Sequence, residues 1–178
     1  MNSPRRSAPR RAVRPTLLLV GEGDTETAFL GHLRSLYCRD GMGVETTIRN
    51  AHGKGASNVI KKAVNLTRNI EYNCCVALLD TDIPWTDKDR KLARQGKINL
   101  LGSSPCIEGL FLLILNRHVP ESTDECKNAI KNLFPSFKKL EWKSYESLFG
   151  KEVLKEARNE ISILDKLLKY LEGNWSQK

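Results

Sequence analysis

No stretch of this 178-residue chain approaches the roughly 18 uncharged apolar residues that a membrane-spanning helix requires. The longest candidate, residues 109–115, is far too short, so a transmembrane helix is excluded. Cysteine is sparse and badly spaced for chemistry. Cys38, Cys74, Cys75, Cys106 and Cys126 form no CxxC pair and no Cys/His pattern suited to zinc. Cys74 and Cys75 adjoin inside an apolar run and read as small buried hydrophobes. An odd count without a secretory apolar core leads us to expect a reducing, cytoplasmic setting. With 40% hydrophobic and 28% charged residues the chain is not of the disordered class, and its length suits one domain rather than two.

Acid is missing from the beginning of the chain. Arg5, Arg6, Arg10, Arg11 and Arg14 supply five of the formal net charge of +8, which leaves only +3 for the rest. The pI near 9.3 therefore reflects a basic tail and is not by itself a sign of a nucleic-acid-binding face. Pro4, Pro9 and Pro15 interrupt any amphipathic helix there, so residues 1–15 are expected to form a flexible tail.

What is present is alternation. Residues 16–20 (TLLLV) form an apolar run stopped by Gly21-Glu22-Gly23, the pattern of a buried strand entering a tight loop. Asp24 or Thr25 is placed to cap a helix with Phe29, Leu33 and Leu36 on its apolar face. Val44, Thr46 and Ile48 alternate like a strand with one covered face. Residues 51–56 read as loop, and Ser57 as the cap of a second helix. Residues 74–79 (CCVALL) are a second wholly apolar run, closed by Asp80-Thr81-Asp82. A polar helix near 87–95, a strand near 98–101 and a very apolar helix over 108–116 follow, the last signalled by Ser103 or Ser104 before Pro105.

That order implies an α/β, Rossmann-like parallel sheet of about four strands with helices on both faces. Beyond it, Ser122 and Glu125 make a capping box that opens a helix ended by Pro135. One long helix is then expected over about 150–172, where Leu154, Ala157, Ile161, Leu164, Leu168 and Leu171 recur at spacings of three and four. Such a stripe suits packing onto the domain, with a homodimer through this C-terminal helix as the alternative. No repeat or interior linker appears, so residues 16–178 read as one domain with a C-terminal helical extension over about 121–178.

The informative carboxylates stand at strand ends. Glu22 follows the first strand, while Asp80 and Asp82 close the third. In a sheet of order 2-1-3 the first and third strands are neighbours, about 4.8 Å apart, and their carboxyl ends flank the crevice where ligands bind. Like charges that close raise one another's pKa unless a cation joins them, and hard oxygen donors suit Mg²⁺ or Mn²⁺.

The segment Val20-Gly21-Glu22-Gly23-Asp24-Thr25-Glu26, with the later Asp80-Thr81-Asp82, resembles the Toprim domain. Ser104-Pro105-Cys106-Ile107-Glu108 is similar to a late segment of its RloB-like branch. The resemblance spans about residues 16–116. It implies Mg²⁺-dependent phosphodiester chemistry on nucleic acid, DNA or RNA, of the kind used in restriction and anti-phage loci. On that reading Glu22 is general base or metal ligand, Asp80 and Asp82 are metal ligands, and Glu26 supports catalysis, with Glu108 as a further metal ligand. A degenerate Toprim domain that binds nucleic acid or a partner protein without catalysis is the competing implication.

Each feature also has a bland reading. Glu26 and Glu108 are first-turn acids that stabilise a helix N-terminus without any function. Lys54, in His52-Gly53-Lys54-Gly55, lacks the flanking residues of a P-loop and is expected at most to touch a phosphate. Lys138-Lys139 and the Arg90-Lys91-Arg94 cluster read as solvated surface, with contact to nucleic acid as the alternative. Gly21-x-Gly23 opens like a dinucleotide fingerprint, but Glu26 replaces its third glycine and Glu22 would face the pyrophosphate. Asp80-x-Asp82 resembles a phosphatase motif, but Ile83-Pro84 follow where that motif needs a different pair.

Overall fold

The computed structural model describes residues 14–39 and 43–175, and the basic stretch before Arg14 lies outside them. The elements run β1 (Thr16–Gly21), α1 (Asp24–Tyr37), β2 (Glu45–Asn50), α2 (Gly55–Asn69), β3 (Cys74–Asp80), α3 (Asp87–Gln95), β4 (Asn99–Ser103), α4 (Ile107–Ile114) and α5 (Thr123–Leu133). A 3₁₀ turn at Trp142–Tyr145, α6 (Lys151–Ala157) and α7 (Ser162–Glu172) complete the chain. The sheet is wholly parallel, in the order β2-β1-β3-β4.

The two apolar runs become the two central strands because only these are covered on both sides. Side chains alternate across a strand, so each run divides between two cores. Leu17, Leu19, Val76 and Leu78 pack with Phe29 and Leu33 of α1, Leu110 and Phe111 of α4, and Leu168 and Leu171 of α7. Leu18, Val20, Ala77 and Leu79 pack with Val59, Ile60 and Ala63 of α2 and Ala93 of α3. The first core reaches well beyond the sheet. Phe29, Phe111, Phe137, Tyr145 and Phe149 form an aromatic cluster, with Phe29 and Phe111 5.0 Å apart and edge to face. Segments far apart in sequence thus close one apolar body.

Several boundaries differ from the sequence pattern. The helix expected over 150–172 is two helices, broken at residues 158–161. Arg158, at the corner, donates to Glu172 at 2.6 Å and to Asp165 at 3.1 Å, tying α7 back towards the end of α6. Leu154, Leu164, Leu167, Leu168 and Leu171 are fully buried within the chain, so the stripe is consumed internally and offers no coiled-coil seam. Ser57 does not cap α2, which begins at Gly55; its hydroxyl donates to Asp89 instead. Ser103 ends β4 rather than starting a helix, and Cys106 holds the cap position of α4. Glycine, not Asp24 or Thr25, precedes α1: the Gly23 N–H donates to the Glu26 side chain at 2.8 Å. Ser122 caps α5 as expected, its hydroxyl accepting from the Glu125 N–H, but the Glu125 carboxylate takes the Ser122 hydroxyl rather than its N–H, so only half of the capping box forms.

Candidate functional site

β1 and β3 lie side by side, with Gly21 in register with Leu78, so the residues that follow each strand emerge together at the carboxyl edge of the sheet. Glu22 Oε2 accepts a hydrogen bond from the Asp80 N–H at 3.2 Å, across 58 positions of sequence. The close approach of α1 to the end of β1 requires glycine at position 21. A Cβ there would stand 3.0 Å from Glu26 Cβ and 3.0 Å from the Thr27 nitrogen.

Asp80 is the pivot. Its Oδ1 accepts from Ser103 Oγ and from the Ile107 N–H, both at 3.0 Å, and its carbonyl accepts from Trp85 Nε1. Burial pushes its carboxyl up to about 7, and Glu26, Glu22 and Asp82 add to the rise against the lowering effect of Ser103. Asp82 is held by the Ile83 N–H at 2.8 Å and by Thr123 Oγ1 at 3.1 Å, which ties the first turn of α5 to the site. The Pro105 carbonyl accepts from the N–H groups of Thr81 and Asp82, so the loop before α4 clasps the Asp80-Thr81-Asp82 turn.

Glu22, Asp80 and Asp82 line one cavity of about 240 Å³, together with Lys54, Ser57 and Asp89. Lys54 enters it from the start of α2, where it adopts a left-handed backbone with φ 72°. Asp89 is 5% exposed, is held by Ser57 and Thr86, and sits below the usual carboxylate range because of those hydrogen bonds. Nothing in the sequence distinguished it from its neighbours on a polar helix, since its partner Ser57 is 32 positions away.

Glu26 and Glu108 do not line this cavity; they are buried behind it, at 5% and 2% exposure. Burial raises the Glu26 carboxyl, and Glu108 and Glu22 raise it further, while the backbone N–H groups of Glu26 and Gly23 oppose the rise. Glu26 is thus the cap that fixes the loop carrying Glu22. Glu108 accepts from Lys139 Nζ at 2.8 Å, so this lysine, its side chain 36% exposed, also serves as the counter-ion of a buried acid. Burial pushes the neighbouring Cys106 thiol up to about 12, which removes it as a nucleophile at neutral pH. A larger cavity, about 530 Å³, lies at the opposite edge of the sheet, by Asn73, Arg94, Asn99, Tyr170 and Trp175, and no carboxylate among the described residues lines it.

Among the described residues no three His, Cys, Asp or Glu side chains stand together as a ready-made metal centre. The fit to a cation is one of donor type and charge. The cavity carries four carboxylates against one lysine, all hard oxygen donors, with Glu22 Oε1 and Asp80 Oδ2 taking no hydrogen bond from the described residues. No described helix is long and apolar enough to cross a membrane. Comparison with family models, curated proteins and solved structures finds no match to this chain.

Proposed function

We propose that the protein is a Mg²⁺- or Mn²⁺-dependent nuclease, or a related phosphoryl-transfer protein acting on nucleic acid, whose reaction centre is the cavity of Glu22, Asp80 and Asp82. The anti-phage setting implied by the Toprim resemblance, and the cytoplasmic setting expected from the cysteines, belong to the same proposal. The observation that supports it most is the meeting of Glu22, Asp80 and Asp82 in one cavity at neighbouring strand ends, where burial first and the surrounding carboxylates second raise the Asp80 carboxyl to about 7. Such a cluster is costly to keep unless function needs it.

A bound divalent ion would neutralise a phosphate and acidify a coordinated water. The chain's own groups divide the remaining work. Glu22 accepts a proton from attacking water through Oε1. Ser103 and the Ile107 N–H fix Asp80 in one orientation, while Thr123 and the Ile83 N–H fix Asp82. Lys54 places positive charge beside an incoming phosphate. Glu26 positions the loop of Glu22 through the Gly23 N–H.

A second reading, a binding module without catalysis, is favoured by one observation: the side chains are not grouped as a metal centre. Cleavage assays titrated with Mn²⁺ and Mg²⁺ decide between the two. Metal-dependent cutting of single- or double-stranded DNA or RNA, lost in Asp80→Ala and in Glu22→Ala, is the expected result. Nucleic-acid binding with no cutting at any metal concentration would leave only the module.

A further inference from the structure

The acidic cavity has a basic neighbour. Thr123, whose hydroxyl is bonded to Asp82, begins α5, and Lys127 and Lys131 follow it at i+4 and i+8. Residues so spaced share one side of a helix, rising about 6 Å per step. Lys127, Lys131 and Lys139 line a groove of about 200 Å³ together with Phe134 and Phe137. No carboxylate lines it. Lys139 also reaches Glu108 from this side, so the groove abuts the acids behind Asp80. Just beyond Lys139, Leu140 and Trp142 are 67% and 45% exposed, and Lys143 Nζ stands 5.8 Å from the Trp142 ring.

We infer that α5 and the loop after it form a track for single-stranded nucleic acid that delivers its backbone to the cavity at Asp82. Lys127 and Lys131 take successive phosphates, and Trp142 offers a face on which an unpaired base stacks. Cations in a groove beside an exposed aromatic ring are the combination that favours a single strand, because stacking needs bases that are not already paired. The inference rests on the proposed reaction centre for its direction, but the track's binding needs no catalysis.

The test uses full-length protein and a fluorescein-labelled oligothymidylate, with anisotropy read in EDTA on the Asp80→Asn background so that cutting does not intervene. Lys127→Glu/Lys131→Glu should weaken binding roughly tenfold or more and flatten the salt dependence by about 0.7 per lost phosphate contact. Trp142→Ala should weaken it several-fold, and oligothymidylate should quench tryptophan emission in the parent but much less in Trp142→Ala. Lys127→Gln/Lys131→Gln, with unchanged thermal melting, guards against loss from misfolding. Equal binding by the charge variants, tighter binding of duplex than of single strand, or equal competition by polyglutamate would overturn the track. If metal-dependent cutting is found but KM is unchanged in the lysine variants, the track fails and the reaction centre stands. If binding follows the track and no metal elicits cutting, the reverse holds.

Discussion

Asp80 shows how one residue trades stability for a charged site. The folded chain holds its proton more tightly than the unfolded chain does. Its stabilising contribution is therefore full below the ordinary 3.8 and is lost as pH rises through about 7. Asp80→Asn keeps an acceptor for Ser103 and Ile107, so we expect it to stabilise the protein by about 1–2 kcal/mol at pH 8, after discounting for partial solvent contact, and by almost nothing at pH 4. Chemical denaturation at the two pH values measures this. Lys139 presents the converse case. Lys139→Met leaves Glu108 buried and unpaired and should cost about 3 kcal/mol, most of it recovered in Lys139→Met/Glu108→Gln; a double-mutant cycle in denaturant checks both. The meeting of Glu22 with Asp80 was legible in the sequence because strand order follows from alternation. The partner of Lys139 was not, since nothing local connects it with an acid 31 positions earlier.

At the scale of elements, β1 and β3 were readable because burial on both faces leaves residues 17–20 and 74–79 without a charged side chain. The break between α6 and α7 was not, because the leucine stripe continues across it and the cause is tertiary. Arg158 bonds Glu172, 14 positions on, and that contact has no local signature. Arg158→Ala should cost roughly 1 kcal/mol, given that its partners remain partly solvated. It should also speed amide hydrogen exchange in α7 more than in the central strands, as read by mass spectrometry. Gly109 stands at a tighter junction, in the first turn of α4, where a Cβ would lie 2.5 Å from the Ser104 carbonyl oxygen. Gly109→Ala should therefore displace the loop that clasps Thr81 and Asp82, lowering Tm and weakening any metal binding together; calorimetry with and without Mn²⁺ measures both.

For the whole molecule, ligand linkage gives a readout that needs no substrate. If the cavity takes a divalent ion, Mg²⁺ at about a hundred times its Kd should stabilise the chain by about 2.7 kcal/mol over EDTA, and Asp80→Ala should abolish the gain. Thermal melts that superimpose in metal and in chelator would argue against the metal reading. The closing of one face of the sheet by α7 has a further consequence, for synthesis. Leu17, Leu19, Val76 and Leu78 share one core with Leu168 and Leu171, which are synthesised after every strand of the sheet. Until then α1 and α4 cover that face without α7, and part of its apolar surface stays open to solvent. The nascent chain is thus expected to lean on chaperones until α7 has emerged, and a stop codon shortly before α7 should send the product to inclusion bodies.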